Sequence, residues 1–181
     1  MDSLTFLILI SLLKAILIAD FVSGLGHWLE DRYGKDDGSW LGENIAKPNL
    51  EHHKTPRSFL ERSYWHRNNV MIIACFFIGI MLAVNGLHPF TNVFTLLLLS
   101  HINEVHAYAH KPISQTPKWV KYLQKVGLMQ SKKHHNLHHA SPYEVRYCIL
   151  TDWLNPFLDK IQFFRFLEYL VLKIFKASPN L

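Results

Sequence analysis

Three apolar runs constrain this chain more than any other feature. Residues 4–19 (LTFLILISLLKAILIA) carry one charge, Lys14, and Val70 to Gly86 carry none. A third run opens at Phe90 and continues through TNVFTLLLLS. With its flanks, each run reaches the roughly 20 residues that a membrane-spanning helix needs. We therefore expect three spans, near 4–26, 69–87 and 90–110. A cleaved signal peptide is the competing reading of the first run. That run lacks a basic leading region and a small-x-small cleavage site, and it continues directly into GHWLED.

Charge placement orients the spans. Of 19 Lys and Arg, only Lys14 precedes residue 32, and the loop NGLHPFTN between the second and third runs has none. All others fall in residues 32–68 or after residue 110. Three spans put those two regions on one side, which the positive-inside rule makes cytoplasmic, with the N-terminus outside. The net charge of +5 on that face suits anionic lipid headgroups and an acidic electron-donor protein. No nucleic-acid-binding motif accompanies it. Cys75 and Cys148 are the two cysteines; with no CxxC they indicate packing rather than a disulfide framework or a thiolate metal site.

Between and after the runs, residues 32–50 and 111–118 read as loops, and Trp119 to Met129 as a short interfacial helix. From Phe157 to Lys176 the pattern is amphipathic. Phe163, Leu167, Leu170, Val171 and Ile174 share one face, and Arg165, Glu168, Lys173 and Lys176 the other. This segment is expected to lie in the bilayer surface, with packing against the cap as the alternative.

Twelve histidines are present, and eleven fall on the basic side or at its membrane boundary; only His88 sits in the opposite loop, where no ligand role is expected. His106 and His110 are one helical turn apart at the end of the third run. His134, His135, His138 and His139 fall within a helical stripe of about 140°. His52 and His53 form another box in EHHKTP, and His27 opens a fourth in GHWLED, with Asp31 one turn later as a ligand or an orienting carboxylate. His101 lies about 140° round the helix from His106 and is expected to point elsewhere. Neutral imidazole binds iron, zinc or copper. Structural zinc takes four ligands and catalytic zinc three, so eight or more imidazoles favour a dinuclear centre with positions open for dioxygen. Asp20, seven residues before His27, is costly at membrane depth; it is expected behind the ligands, orienting His27, or as helix-packing polarity.

Several stretches resemble the plasmanylethanolamine desaturases: ILIADFVSGLGHWLED (16–31), EHHKTP (51–56), NEVHAYAH (103–110), KKHHNLHHASPYEVRYCI (132–149) and TDWLNPFLDKIQFFRFLE (151–168). The resemblance runs in order from about residue 12 to residue 170. The plant chloroplast phosphatidylglycerol desaturases belong to the same lipid desaturase family, and SKKHHNLHH resembles theirs. In that family the boxes are understood as iron ligands. Carried over, this implies two iron ions and catalytic ligands at His27, His52, His53, His106, His110, His135, His138 and His139. His134 and Asp31 are further metal candidates, although the chloroplast relatives have Gln at the former position. Asp152, in the last stretch, is expected beside Asp20 as a supporting carboxylate.

Two departures stand out. Where the plasmanylethanolamine enzymes have T-R-H-D-F, this chain has Leu60-Glu61-Arg62-Ser63-Tyr64, and the extra N-terminal span expected in animal members is missing. If residues 58–69 are helical, His66 projects one turn from Arg62. It is then expected to supply an imidazole from nearly the place of the missing histidine, as a metal ligand or a donor to one; an interfacial role among headgroups is the alternative.

These readings make residues 1–181 one lipid desaturase domain. The fold class is an all-α integral membrane protein, with about three transmembrane helices, a cytoplasmic His-rich helical cap and an amphipathic C-terminal interfacial helix. The implied reaction removes two hydrogens from adjacent carbons of a lipid chain, with O2 as co-substrate. No side-chain base can deprotonate such a methylene, so an oxidant generated at metal is required. Flavin, haem and iron–sulfur signatures are missing, so electrons are expected from a separate carrier of the cytochrome b5 or ferredoxin type. The first expected substrate is a 1-alkyl ether phospholipid, giving the vinyl ether of a plasmalogen. An acyl chain of a glycerophospholipid comes second and hydroxylation third. A membrane metal transporter is the reading from another class; such proteins place their ligands near mid-membrane, whereas these histidines gather at one face.

Overall fold

A computed structural model describes residues 2–87 and 89–180. The expectation for His88 lies outside the described residues. Among those described, regular structure is entirely helical.

Helix α1 (Ser3–Tyr33) runs for 31 residues, with the Asp2 side chain capping it at Thr5 N. At 1.5 Å per residue it is about 46 Å long, longer than the roughly 30 Å apolar core of a bilayer. Its first turns are apolar, and its last carry His27 and Asp31 beyond the apolar stretch. A π-helical turn (Gly42–Ala46) leads into α2 (Lys47–Lys54), and a 3-10 turn (Ser58–Glu61) precedes α3 (Tyr64–Val84). Ser63 caps α3 by accepting from His66 N. Helices α1 and α3 are the two that are long and apolar enough to cross a membrane.

The third run is not one helix. Helix α4 (Phe90–Ser100) stops and α5 (Ile102–His110) restarts at His101, whose backbone (φ −114°, ψ 11°) leaves the helical region. The cause is local: Ser100 Oγ donates to Leu97 O and lies 2.7 Å from His101 Nδ1, so side chains compete with the helical ladder. The break lets α5 turn its histidines inward while α4 stays against α1 and α3.

Exposed side chains on these helices are apolar. Phe76 and Phe77 of α3 are 62% and 63% exposed, and Val84 is 83% exposed. Leu4, Phe6, Leu7 and Leu9 of α1 are likewise bare. A water-soluble core helix hides such residues; these face outward over a continuous belt.

The cap is built from α6 (Lys118–Lys125), α7 (Lys132–His138), α8 (Leu154–Lys160) and α9 (Phe163–Phe175). The C-terminal amphipathic segment is thus two helices, broken where Gln162 adopts φ 53°. Packing wins on its inner side: Phe163, Phe164, Leu167 and Val171 cover Trp28, Phe21 and Leu25 of α1. Glu168, expected on the polar outer face, instead accepts from Arg32 Nε at 2.7 Å. Phe166, Tyr169, Leu172, Ile174 and Phe175 remain exposed. Cys75 and Cys148 are free, buried and part of the two apolar cores.

Between α7 and α8, residues 145–151 run without helical structure past the end of α1. Leu150 N and Thr151 N both donate to Asp20 Oδ1, at 3.0 and 3.1 Å, and Ile149 N to Ser23 Oγ at 3.2 Å. Gly24 makes room: a Cβ there would lie 2.6 Å from Cys148 Sγ and 3.1 Å from Cys148 N. Tyr143 and Arg146 occupy the left-handed region, at φ 61° and 63°. The Asp159 carboxylate holds the latter through both Arg146 N and Nε. We call this segment the strap.

Candidate metal centre

Helices α1, α2, α5 and α7 aim their histidines into one place and sort them into two adjacent groups. Within each group, one candidate ligand atom per residue lies within 4.8 Å of all the others. The first group is His52, His106, His110, His135 and His139; the second is His27, Asp31, His53 and His138. The groups touch: the rings of His53 and His139 are 5.0 Å apart, and those of His27 and His106 5.6 Å.

In the first group, His135 Nε2 lies 2.9 Å from His106 Nε2, 2.7 Å from His110 Nε2 and 3.0 Å from His139 Nε2. One imidazole nitrogen can share only one proton, so at most one of these three contacts is an ordinary hydrogen bond. The other two are close contacts that no ordinary hydrogen bond explains. A cation bound by all four resolves this, and the spacing suits it. Metal–nitrogen bonds of about 2.1 Å put neighbouring ligands about 3.0 Å apart at 90° and about 3.4 Å apart at the tetrahedral angle. The observed separations are those of nitrogens close enough to share one ion. Burial, followed by the neighbouring imidazoles, pushes His52 and His135 well below the ordinary histidine range and His139 down to about 2. These rings are neutral at pH 7, the form that binds metal.

In the second group the backbone sets the tautomers. His27 Nδ1 donates to Tyr147 O at 3.0 Å, and His138 Nδ1 to Val145 O at 2.8 Å. Each Nε2 therefore presents a bare lone pair, yet these atoms face the Asp31 carboxylate at 3.6 and 3.2 Å. His27 Nε2, His138 Nε2 and Asp31 Oδ2 are buried with no hydrogen-bond partner. Buried polar atoms of that kind are rare without a reason, and a cation between them would satisfy all three. Asp31 Oδ1 meanwhile accepts from Asn49 Nδ2 and lies 2.9 Å from His53 Nε2. The donor set fits two metal ions, one per group.

Other expected residues fall elsewhere. His134 belongs to neither group: Asn155 Nδ2 donates to its Nε2 at 2.9 Å, and Asp152 lies 3.6 Å from its Nδ1. Asp152 also accepts from Ser131 N at 2.9 Å, so it fixes the start of the helix that carries the histidines. His66 is exposed, with its Nδ1 2.8 Å from Ser63 Oγ, and joins neither group. Asp20 does not reach His27, because the backbone amides of the strap engage it first. It acts at one remove, holding the strap whose Tyr147 carbonyl orients that ring. Asn49, Asn155 and the two strap carbonyls are supports that no side-chain pattern singled out. Asn49 alone left a signal, since it precedes His53 by one helical turn.

A cavity of about 230 Å³ opens beside both groups, with His27, His52 and His106 in its wall. Its other lining includes Val22, Val70, Met71, Leu99, Ile102 and Ile149. Its apolar lining adjoins the imidazoles.

The lipid desaturase domain matches residues 16–181, a span that holds every residue of both groups. The chain is 32% identical over 175 residues to the probable fatty acid desaturase of Acanthamoeba polyphaga mimivirus, covering 94% of this chain and 86% of that protein. It is 31% identical over 186 residues to plasmanylethanolamine desaturase 1 of Mus musculus (96% and 68%). It is also 32% identical over 168 residues to the chloroplastic fatty acid desaturase 4-like 1 of Arabidopsis thaliana (91% and 56%). No solved structure matches it. With its histidines drawn into two groups that could each hold a metal ion beside a largely apolar cavity, and with relatives of this kind along nearly its whole length, the chain belongs to the lipid desaturase family.

Proposed function

We propose that this protein is a membrane di-iron lipid desaturase, that it draws electrons from an external acidic carrier, and that a 1-alkyl ether phospholipid is its substrate. The observation that carries the reading is the pair of imidazole-rich groups flanking an apolar cavity. Bound there, two irons would supply the reduction of dioxygen and an oxidant able to take hydrogen atoms from an unactivated methylene. The protein's own part is positional. The cavity holds the chain beside His27, His52 and His106 and keeps water out. The strap carbonyls keep the Nδ1 protons of His27 and His138 in place, so that both Nε2 atoms stay directed at metal.

Helices α1 and α3, with the α4–α5 pair, form the membrane part in this reading. The basic cap is cytoplasmic and the N-terminus outside, as the charge asymmetry requires. A reporter fused after Leu181 should be active only in the cytoplasm. The electron carrier, of cytochrome b5 or ferredoxin type, approaches the lysines of α6 and α7, whose second helix carries His135 and His138.

The plasmanylethanolamine desaturases of Mus musculus and Myxococcus xanthus, at 31% and 30% identity, support the ether lipid. The mimivirus and chloroplast relatives support an acyl chain instead. Lipid mass spectrometry after expression in a host lacking the activity separates the readings. A two-hydrogen loss from an alkyl ether lipid is expected. The same loss from an ester lipid alone would move the substrate to the acyl chain, and a gained oxygen would make the enzyme a hydroxylase.

A further inference from the structure

Two glycines of α1, Gly24 and Gly26, differ in what surrounds them. At Gly24 the strap lies so close that an added Cβ would strike Cys148, and packing alone accounts for the glycine. At Gly26 an added Cβ meets no atom within 4 Å beyond its own turn of helix and its chain neighbours. Glycine inside a helix is less favourable than alanine, and no packed neighbour calls for it here. The helix continues to Tyr33, so a C-terminal cap does not call for it either.

The open space belongs to the cavity. Val22, Ser23, Gly26, His27 and Glu30 are the share of its wall that α1 supplies. At 3.6 residues per turn they span an arc of about 140°, and Gly26 lies inside that arc with Val22 and Glu30 one turn away on either side. The Ser23 hydroxyl is already engaged, donating to Asp20 O at 2.7 Å and accepting from Ile149 N at 3.2 Å. Beside His27 the wall is therefore bare helix backbone. Other walls carry bulk, including Met71, Ile102 and Phe59. The Phe59 ring lies 5.5 Å from that of His52 and 5.2 Å from that of His106. Among the described lining residues Gly26 alone has no side chain. A Cβ would stand about 1.5 Å out from its Cα, so its absence lets an apolar group lie that much nearer the helix and the neighbouring imidazole.

We propose that Gly26 is a specificity-determining residue: the space it leaves seats a segment of the substrate's apolar chain beside His27 and sets the width of chain that can reach the imidazoles. This assignment rests on the lipid reading above and adds to it the residue that selects by width.

The test uses the full-length protein in vesicles containing one of two phospholipid probes. Both carry a photoreactive group at mid-chain, one on a straight saturated chain and the other on the same chain with a methyl branch. Labelling of the cavity peptides that contain Met71 and Ile102 is read by mass spectrometry, alongside metal content, thermal midpoint and product after supplying the electron donor. Gly26→Ala should keep or raise the midpoint. It should lower labelling by the branched probe about tenfold, the effect of one methyl group in an apolar pocket, and labelling by the straight probe less. Gly26→Leu should bring both probes to background with metal unchanged. Gly79→Ala, at an α3 glycine whose added Cβ would meet Leu96 of α4 at 3.5 Å, should leave both probes as in wild type. Wild type that is labelled in the cavity but forms no product would uphold the role of Gly26 and sink the desaturase reading. No cavity labelling in wild type, equal losses of the two probes in Gly26→Ala, or a lowered midpoint in that variant would each overturn the proposal. So would unchanged labelling or lost metal in Gly26→Leu, or a matching loss of labelling in Gly79→Ala.

Discussion

The two imidazole groups are held by different means. The group of His27, Asp31, His53 and His138 is braced from outside. Strap carbonyls fix two of its rings, and Asn49 and His53 grip one oxygen of its carboxylate. In the other group, His106, His110 and His139 all crowd the Nε2 of His135, so these rings brace mainly one another. The difference teaches which site is preorganised and which depends on its ion for cohesion: when metal is removed the braced group should keep its ring positions, and the unbraced group should lose its close Nε2 contacts while its rings stay buried.

The largest effect should follow from removing the hub of the unbraced group. His135→Ala takes away the atom common to three close contacts, and activity should fall to background with loss of at least one metal per chain. His134→Ala removes the neighbouring ring, which Asn155 already engages, and should keep both metals. Equal metal loss in the two variants, read by elemental analysis, would erase the distinction between ligand and supporting histidine.

Breaking the brace should matter less but reach the other group. Gly24→Val forces a side chain against Cys148 and shifts the strap, at a cost of about 1–3 kcal/mol for overpacking. Since the strap carries Tyr147 O, metal affinity of the second group should fall roughly 10- to 100-fold, the range seen when ligand-orienting partners are lost. Unchanged affinity and thermal midpoint would mean that the strap does not orient His27.

The remaining effect is on pH in the metal-free protein. His52, His135 and His139 are held below the ordinary histidine value of about 6.5. Below that pH the unfolded chain binds protons that the folded chain excludes, so stability must fall as pH falls. Each group loses at most about 1.4 kcal/mol per pH unit, and the loss for His139 extends down to about 2. Thermal unfolding in detergent after chelation should therefore shift downward from pH 7 to pH 5, whereas a pH-independent midpoint would deny that these rings are buried neutral.

Sequence spacing made the imidazole groups legible because imidazoles one helical turn apart must share a face. The pairs His106 with His110 and His135 with His139 meet for that reason. Apolar runs likewise identified α1 and α3. Less legible was whatever depends on the backbone or on competition between side chains. The split at His101 comes from Ser100 and His101 displacing the ladder, which periodicity does not register. The strap acts through its carbonyls, and a carbonyl has no residue type. Asp20 looked aligned with His27 along α1, but two backbone amides from residues 150 and 151 claimed its carboxylate first. His66 satisfied helical spacing from Arg62, yet α3 begins only at Tyr64, which removes the turn that the spacing assumed.

The central claim is that the two groups hold two irons, and elemental analysis of the purified protein after expression with iron supplied tests it most directly. The account predicts close to two irons per chain, bound mainly by nitrogen in X-ray absorption; a single zinc with no iron would contradict it.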